Sequence, residues 1–336
     1  MNMKDSIINY CKNIGLDTIG FTICREYREL VPLYELRKNK GLENSFEEND
    51  IEKRVNPFFH FPEGKSIVSI AFPYYFDVDY QYGKGFSIYT LGEDYHKVVM
   101  EYLNNICNFI IGLGGKAMAF SDSNPLPERY IAFLSGIGFI GKNNMLYTEK
   151  YGSYVFLGEI ITDLKLTDEN KEPPEVLLER LMKYEACGQC DLCLKTCPTK
   201  SININERNAN ICLSYITQKK DIEDKWFTLM GDRLFGCDSC QLCCPKNENI
   251  QFSCIDALQP KEYMLKYDIN ELIKIDKKSF LEKYKITSCG WRGKNILQRN
   301  ALIYAYNNEI DTGKVEKINS PYIADYHNRL SHKKKL

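Results

Sequence analysis

Cysteine dominates the chemistry available to this chain. Cys187, Cys190, Cys193 and Cys197 are spaced C-x2-C-x2-C-x3-C, and Pro198 follows the last of them. Cys237, Cys240, Cys243 and Cys244 form a second run that ends at Pro245, and Cys212 lies between the runs. Nine of the 14 cysteines thus share one short segment. Thiols at that density call for a metal, disulfide partners or a reducing compartment.

The first run has the spacing of bacterial-type iron–sulfur ligation, in which three cysteines hold one cubane and the fourth, before proline, holds another. Cysteines three apart on a tight turn each aim a sulfur at a different iron. The next turn directs Cys197 away, and Pro198 narrows the conformations open to it. If the second run is the partner half, the ligands cross over. One cluster would take Cys187, Cys190, Cys193 and Cys244. The other would take Cys197, Cys237, Cys240 and a fourth thiol. Spacing leaves that fourth thiol open: a plain ferredoxin repeat uses Cys243, and the alternative is Cys212 with Cys243 spare. The competing reading is a pair of structural zinc sites, but zinc needs no four-cysteine run closing in Cys-Pro. Disulfides fit less well. Met1 to Tyr10 is too polar for an export signal, and a chain of 336 residues can build its core without staples.

Other residues offer weaker signals. Gly136-Ile137-Gly138-Phe139-Ile140-Gly141-Lys142-Asn143 satisfies G-x-G-x-x-G and approaches a phosphate-binding loop. A dinucleotide fingerprint must leave a strand and open a helix, and a phosphate loop needs a hydroxyl where Asn143 stands. What remains is a glycine-rich loop that lets backbone approach something closely. The four histidines, His60, His96, His327 and His332, are too few for a multi-histidine metal site. No D-x-H-x-x-G motif supplies a histidine to cobalt, because His96 is followed by Lys97-Val98-Val99. His96 reads as a helix-face residue. Asp122 and Glu128 are the carboxylates near the loop. Beside an apolar cofactor such an acid could keep its proton near neutrality, while the plain reading of Glu128 is a first-turn helix acid. Arg54, before a Pro57/Pro62 turn region, reads as a surface charge.

The elements that must position these residues follow from periodicity. Met3 to Ile14, Arg25 to Lys38, Gly92 to Leu113 and Glu128 to Leu134 read as helices. Ser66 to Phe72, Lys116 to Phe120 and Tyr154 to Thr162 read as strands. Gly41 to Asn56 reads as a polar loop and Lys165 to Leu181 as a charged linker. Ser279 to Tyr306 and Lys317 to Leu330 read as helices of a small C-terminal unit, with a frayed basic tail at His332 to Lys335. Strand–helix alternation suggests an α/β sandwich over the first 160 or so residues. Composition is that of an ordinary globular protein, 44% hydrophobic and 26% charged, and no run of 18 apolar residues could span a membrane. A reduced, cysteine-rich chain implies a cytoplasmic setting. Net charge is −1, but Glu271 to Leu336 holds 14 Lys and Arg against 7 Asp and Glu. That basic end suits a polyanion, or is simply a solvated helical surface.

Ordered segments along nearly the whole chain resemble the bacterial epoxyqueuosine reductase family, which completes the tRNA wobble base queuosine. They are Asp50-Ile51-Glu52-Lys53-Arg54-Val55-Asn56-Pro57, Gly92-Glu93-Asp94-Tyr95-His96, the loop Gly136 to Lys142, Gly152-Ser153-Tyr154 to Thr162 and the first cysteine run. Cys212-Leu213-Ser214-Tyr215, Gly236-Cys237-Asp238-Ser239-Cys240-Gln241, Trp291-Arg292-Gly293-Lys294 and Gln298-Arg299-Asn300-Ala301 continue the series.

The resemblance implies a multidomain α+β or α/β fold. Residues 1–170 would form a cobalamin-binding α/β domain similar to reductive dehalogenases. Residues 171–260 would form a ferredoxin-like domain with two 4Fe–4S clusters, and residues 261–336 a basic, HEAT-like helical region. It implies base-off cobalamin lined by Arg54, His96, Glu128, Ser153, Ser214, Cys237 and Asp238. It selects Cys212 as the open cluster ligand, and Cys243 stands where the family has an apolar residue. Glu128, at the family's acid position, would protonate the departing epoxide oxygen. Lys219, Lys220, Arg292, Lys294 and Arg299 would meet tRNA phosphates. The implied partners are tRNA carrying epoxyqueuosine and a low-potential electron donor, with a monomer and no membrane. Rival readings are a corrinoid reductase of a small molecule, a plain two-cluster electron carrier and a zinc-stapled RNA-binding protein.

Overall fold

The computed structural model describes residues 2–80, 84–168, 172–203, 206–312 and 320–333. Its strands are β1 (Ile19–Ile23), β2 (Ser66–Pro73), β3 (Gly85–Phe86), β4 (Ala117–Phe120), β5 (Phe139–Ile140), β6 (Leu146–Tyr147), β7 (Val155–Thr162) and β8 (Arg233–Phe235). β1, β2, β7 and β4 lie in that order in one sheet, with antiparallel neighbours throughout. Every residue of the apolar β2 is buried, because helices cover both faces of the sheet. The long helix Tyr95–Gly112 and the helix Met3–Asn13 pack Val99, Leu103, Ile106, Ile7 and Cys11 against Val68, Ile70, Phe72 and Ile160. The short helix Glu128–Leu134 covers the other face, placing Tyr130 and Ile131 over Ile67, Phe120 and Ile161. The expected sandwich is therefore present, but strand–helix alternation does not produce parallel crossovers in it.

Several local expectations change. Pro174–Lys183 is a helix rather than a linker. Proline fits the first turn of a helix, where no N–H partner is needed, and Leu177 supplies a buried face. Ile51–Val55 is also helical, since Asp50 caps it by accepting from the Glu52 N–H at 3.0 Å. β1 gave no clear sequence signal. Its Gly20 lies so close to the Ser135 carbonyl that a Cβ there would overlap it. The helical stretch expected over Ser279 to Tyr306 consists of a π turn at Phe280–Tyr284, a 3-10 turn at Ser288–Gly290 and a helix at Lys294–Asn307. Gly290 presses on the Tyr284 carbonyl and Gly293 takes a φ of 87°, so the chain turns sharply before it resumes a helix. The last helix runs over Pro321–Lys333. Lys334 and Lys335 of the expected basic tail, and residues 317–319 of the expected last helix, lie outside the described residues.

The cysteine-rich segment is tied into the rest of the molecule. β3 pairs with β8 in parallel, and the Ser87 N–H donates to the Phe235 carbonyl at 2.8 Å. Gln241 Nε2 donates to the Ser153 carbonyl and hydroxyl, both at 3.0 Å. Below them the helix Lys294–Asn307 is buried almost all round. Its Asn300 Nδ2 donates to the carbonyls of Thr217 (2.9 Å) and Leu234 (2.6 Å). Among the described residues no helix is long and apolar enough to cross a membrane.

Candidate redox and proton-transfer site

The cysteines segregate into two groups. Burial, reinforced by the thiols of Cys243, Cys187, Cys244 and Cys190, pushes Cys193 up to about 11. Burial also raises Cys212, and the thiols acting on it are Cys237 and Cys197. Cys240 is raised by burial and by Cys237 and Cys212. The fold thus makes Cys187, Cys190, Cys193, Cys243 and Cys244 one set of electrostatic neighbours and Cys197, Cys212, Cys237 and Cys240 another, with Cys193 also acting on Cys240. Cys243 sides with the first group, facing Thr196, Cys244 and Cys190. Each set draws thiols from more than one stretch of the segment, as crossed two-cubane ligation would. Among the described residues, no three Cys, His, Asp or Glu side chains converge as they would on a single metal ion.

The glycine-rich loop turns out to brace these thiols. A Cβ at Gly138 would overlap the Tyr147 carbonyl, so β5 and β6 can meet this closely only with glycine there. Lys142, only 8% exposed, donates from Nζ to the carbonyls of Gly188 (2.7 Å) and Cys190 (2.8 Å). Asn143 Nδ2 reaches Tyr147 Oη at 2.8 Å and the Cys240 carbonyl at 3.3 Å. The two residues that imitate a nucleotide loop are backbone clamps on both cysteine runs.

A chain of acids surrounds His96. The Asp94 side chain caps the long helix and meets His96 Nδ1 at 2.7 Å. His96 Nε2 meets Asp122 Oδ2 at 2.7 Å, and the Tyr95 hydroxyl donates to the same oxygen at 2.9 Å. Burial opposes the imidazolium, but hydrogen bonds with Asp122 and Asp94 and their charges outweigh it and raise His96 to about 9. It is cationic at neutral pH and donates from both nitrogens. Burial likewise opposes ionised Asp122, yet His96 holds it below the usual carboxylate range. Asp122 takes a φ of 49°, which turns the chain so that its own N–H donates to Glu128 Oε1 at 2.6 Å. Asn124 Nδ2 donates to the same oxygen at 2.7 Å. At the first turn of its helix Glu128 should ionise readily. Burial and the charge of Asp122 prevail instead and raise it to about 7. Beneath it, on β7, lies buried Glu159, with Oε1 accepting from Ser69 Oγ at 3.2 Å and Oε2 without a partner. Burial and the neighbouring Glu128 hold Glu159 well above the normal carboxylate range. Glu128 is the group poised to exchange a proton near neutral pH.

From this network a wall of polar and aromatic groups leads to the second thiol group. Tyr95 stacks on Phe156 at 4.0 Å and meets Tyr89 edge-on at 6.3 Å. The Tyr89 hydroxyl accepts from Gln218 Nε2 at 3.4 Å, and Gln218 Nε2 also donates to the Ser214 carbonyl at 2.8 Å. Asp238 is buried; it accepts from the Ser87 hydroxyl and from the Ile88 N–H at 2.9 Å. Arg233 Nε lies 3.3 Å from Cys237 Sγ. Ser153 is fully buried and binds Asn247 and Gln241, so it holds the wall from behind. Arg54 stacks on Tyr34 at 3.7 Å and pairs with Glu43 and Glu47. It steadies a segment whose Phe46 meets Tyr215 at 4.9 Å and Trp291 at 5.3 Å.

The basic residues divide. Arg292 stacks over Trp291 at 4.6 Å, and Lys219 lies 5.7 Å above Tyr215. With Phe46 and Trp291 exposed, this is a face of aromatic rings and cations. Lys220 is exposed beside it, and Lys294 bonds Gln298 at 2.8 Å. Arg299 does not belong to this face. It is fully buried, with Nη1 donating to the Lys220 carbonyl and the Tyr322 hydroxyl, and Nη2 to the Thr217 carbonyl. Its donors are spent on protein, so the expected phosphate contact is corrected to an internal brace for the loop that carries Lys219 and Lys220.

Comparison with known proteins places the chain. Residues 186–247 match the family described as "4Fe-4S double cluster binding domain", and residues 54–123 the family described as "Epoxyqueuosine reductase QueG, DUF1730". The epoxyqueuosine reductase of Bacillus subtilis (strain 168) is 36% identical over 90% of this chain and 78% of the relative. That of Staphylococcus aureus (strain NCTC 8325 / PS 47) is 32% identical over 92% and 81%. The chain belongs to the epoxyqueuosine reductase family. A selenomethionine-labelled epoxyqueuosine reductase superposes with a TM-score of 0.87 at 33% identity, covering 98% of this chain and 89% of that one. Another, in complex with an epoxyqueuosine-modified tRNA-Tyr stem loop, superposes at 0.86 with 34% identity, covering 96% and 88%.

For this member of the family, sequence reasoning missed Lys142 as a clamp and Asp94 and Glu159 as parts of the acid network. Glu159 carried a signal: it is the one charged residue in the apolar run Tyr154 to Thr162. A lone acid on a buried strand is rarely there for packing.

Proposed function

We propose that this chain reduces epoxyqueuosine to queuosine at the wobble position of tRNA, with two 4Fe–4S clusters and base-off cobalamin. The observation that carries the proposal is the meeting of two sets of neighbouring thiols with an acid poised near neutrality. One part suits electron delivery, the other proton delivery, and opening an epoxide to an alkene with loss of water consumes both. In this reading residues 1–170 carry the corrin site, residues 171–260 the clusters and residues 261–336 a HEAT-like basic region. The protein works as a cytoplasmic monomer fed by a low-potential donor.

Ser214, His96 and Cys237 would face the corrin, with Arg54, Ser153 and Asp238 supporting the surfaces around it. Cobalamin, when bound, supplies a strongly reducing cobalt centre. Glu128 delivers the proton to the departing oxygen, and burial together with the charge of Asp122 discourages its early ionisation. His96 pins the Asp122 turn through its hydrogen bond, which keeps the Asp122 N–H on Glu128. Phe46 and Trp291 offer stacking faces to unpaired bases. Lys219, Lys220, Arg292 and Lys294 neutralise phosphates and position the stem loop.

Anaerobic purification with iron, sulfide and cobalamin analysis, followed by assay on tRNA carrying the epoxide base, tests the proposal. Two clusters, bound corrin and salt-dependent conversion to queuosine are expected. A colourless protein that binds only zinc would sink it.

A further inference from the structure

Lys142 is an unusual clamp. A lysine ammonium is costly to bury without an anion, because its charge loses hydration. Here it is 8% exposed, and the partners it reaches are the neutral carbonyls of Gly188 and Cys190. A second cation stands behind it. Arg207 Nε donates to the Lys142 carbonyl at 3.0 Å, Nη1 to Asn144 Oδ1 at 3.5 Å, and buried Nη2 has no partner. Its guanidinium lies 4.7 Å from the Tyr184 ring centre, and the Tyr184 carbonyl accepts from the Cys187 N–H at 2.8 Å. Among the described residues neither cation forms an ion pair with a carboxylate. The second thiol group has different neighbours: buried Asp238 lies beside Cys240, and Arg233 is shared with Cys237 and Ser239.

Buried Lys142 and half-buried Arg207, both lacking a carboxylate, need a counter-charge from elsewhere. A four-thiolate iron–sulfur cube is a buried anion, and Cys187, Cys190 and Cys193 would hold one against this loop. We propose that Lys142, with Arg207 behind it, is the built-in counter-charge of the first cluster, raising that cluster's reduction potential above the value its four thiolates alone would set. Adding an electron makes the cube more negative, so a nearby fixed cation favours the reduced form. Lys142 is therefore a positioning and tuning residue. It would let a modest donor charge the first cluster, while the second answers to its own surroundings. The inference rests on the proposed cluster ligation and would not survive its loss.

The test is a potentiometric titration of the anaerobic holoprotein, followed by electron paramagnetic resonance, in wild type, Lys142→Met, Lys142→Gln and Lys142→Arg. Glutamine can still donate to a carbonyl but carries no charge. Both uncharged variants should shift the reduction equilibrium of one cluster at least tenfold toward the oxidised form, equivalent to 59 mV for one electron. The other cluster should stay in place, and Lys142→Arg should behave like wild type. If both uncharged variants lose one cluster while Lys142→Arg keeps it, the counter-charge is also supported. The inference is overturned if both clusters load in an uncharged variant with unchanged potentials, or if Lys142→Arg loses a cluster as readily as Lys142→Gln. Iron-free wild-type protein would instead defeat the functional proposal itself.

Discussion

Glu128 gives a prediction in which stability and activity move in opposite directions. Its pKa is raised from 4.5 to about 7 by burial and by the charge of Asp122. Below pH 4.5 the carboxyl is protonated in folded and unfolded chains alike, and it costs the fold nothing. Between pH 4.5 and 7 the unfolded chain ionises while the folded one holds its proton, so stability declines as pH rises. Above pH 7 the folded state carries the buried charge and the full penalty. A shift of this size corresponds to about 3 kcal/mol at 1.36 kcal/mol per unit. Glu128 is only half-buried, so solvent screening reduces the expected effect to about 1–2 kcal/mol.

Glu128→Gln keeps an oxygen to accept from the Asp122 N–H and from Asn124 but removes the charge. Anaerobic thermal melts of both proteins at pH 5 and pH 8 provide the assay. The variant should match wild type at pH 5 and melt roughly 2–4 °C higher at pH 8. It should also retain its cofactors and turn over about 10²–10⁴-fold more slowly. His96, whose raised pKa also erodes stability toward alkaline pH, is common to both proteins and largely cancels in the difference. A melting difference that does not depend on pH, or a variant less stable at pH 8, would refute the account of Glu128 as a group held protonated by its surroundings. Near-normal turnover would remove it from proton delivery.

Three other perturbations separate the roles assigned above. Cys212→Ser should halve the iron content, whereas Cys243→Ser should keep both clusters; iron and sulfide analysis checks this, and the reverse result restores the plain ferredoxin pattern. Arg299→Met should lower the melting temperature without changing the salt dependence of RNA binding, because the carbonyls it leaves unpaired cost roughly 1–3 kcal/mol each. An unchanged melt with weakened RNA binding would return Arg299 to the phosphate-contacting set. Arg292→Gln should weaken tRNA binding and reduce the salt slope by about 1, and a slope equal to wild type would remove that contact.

Much of the frame was legible because its signals are local. The apolar run at Ser66 to Phe72 and the helical period of Tyr95–Gly112 each identify an element without knowledge of its neighbours. The cysteine spacing announced two clusters for the same reason. The fourth ligand of the second cluster is different, since Cys212 and Cys243 are both reachable by a flexible chain. In the fold the thiols acting on Cys212 are Cys237 and Cys197, and those acting on Cys243 are Cys244 and Cys190.

The site's electrostatics were hidden for a deeper reason. A charged side chain reads alike in sequence whether it faces water, a carbonyl or another charge. Arg299 and Arg292 occur in similar basic surroundings, yet one is fully buried and the other stacks on an exposed tryptophan. What separates them is position: Arg292 lies in the turn before the helix Lys294–Asn307, whereas the helix carries Arg299 inward under the Thr217 and Lys220 carbonyls. Lys142 follows the same rule. Its motif approaches a loop that binds phosphate, and in the proposed role the physical demand is the same: a cation held on a glycine-rich turn to face an anion. The fold decides which anion that is, and here the nearest backbone belongs to the ligand loop of the first thiol group. The general chemistry was written in the residue types, while the partner was fixed only by packing.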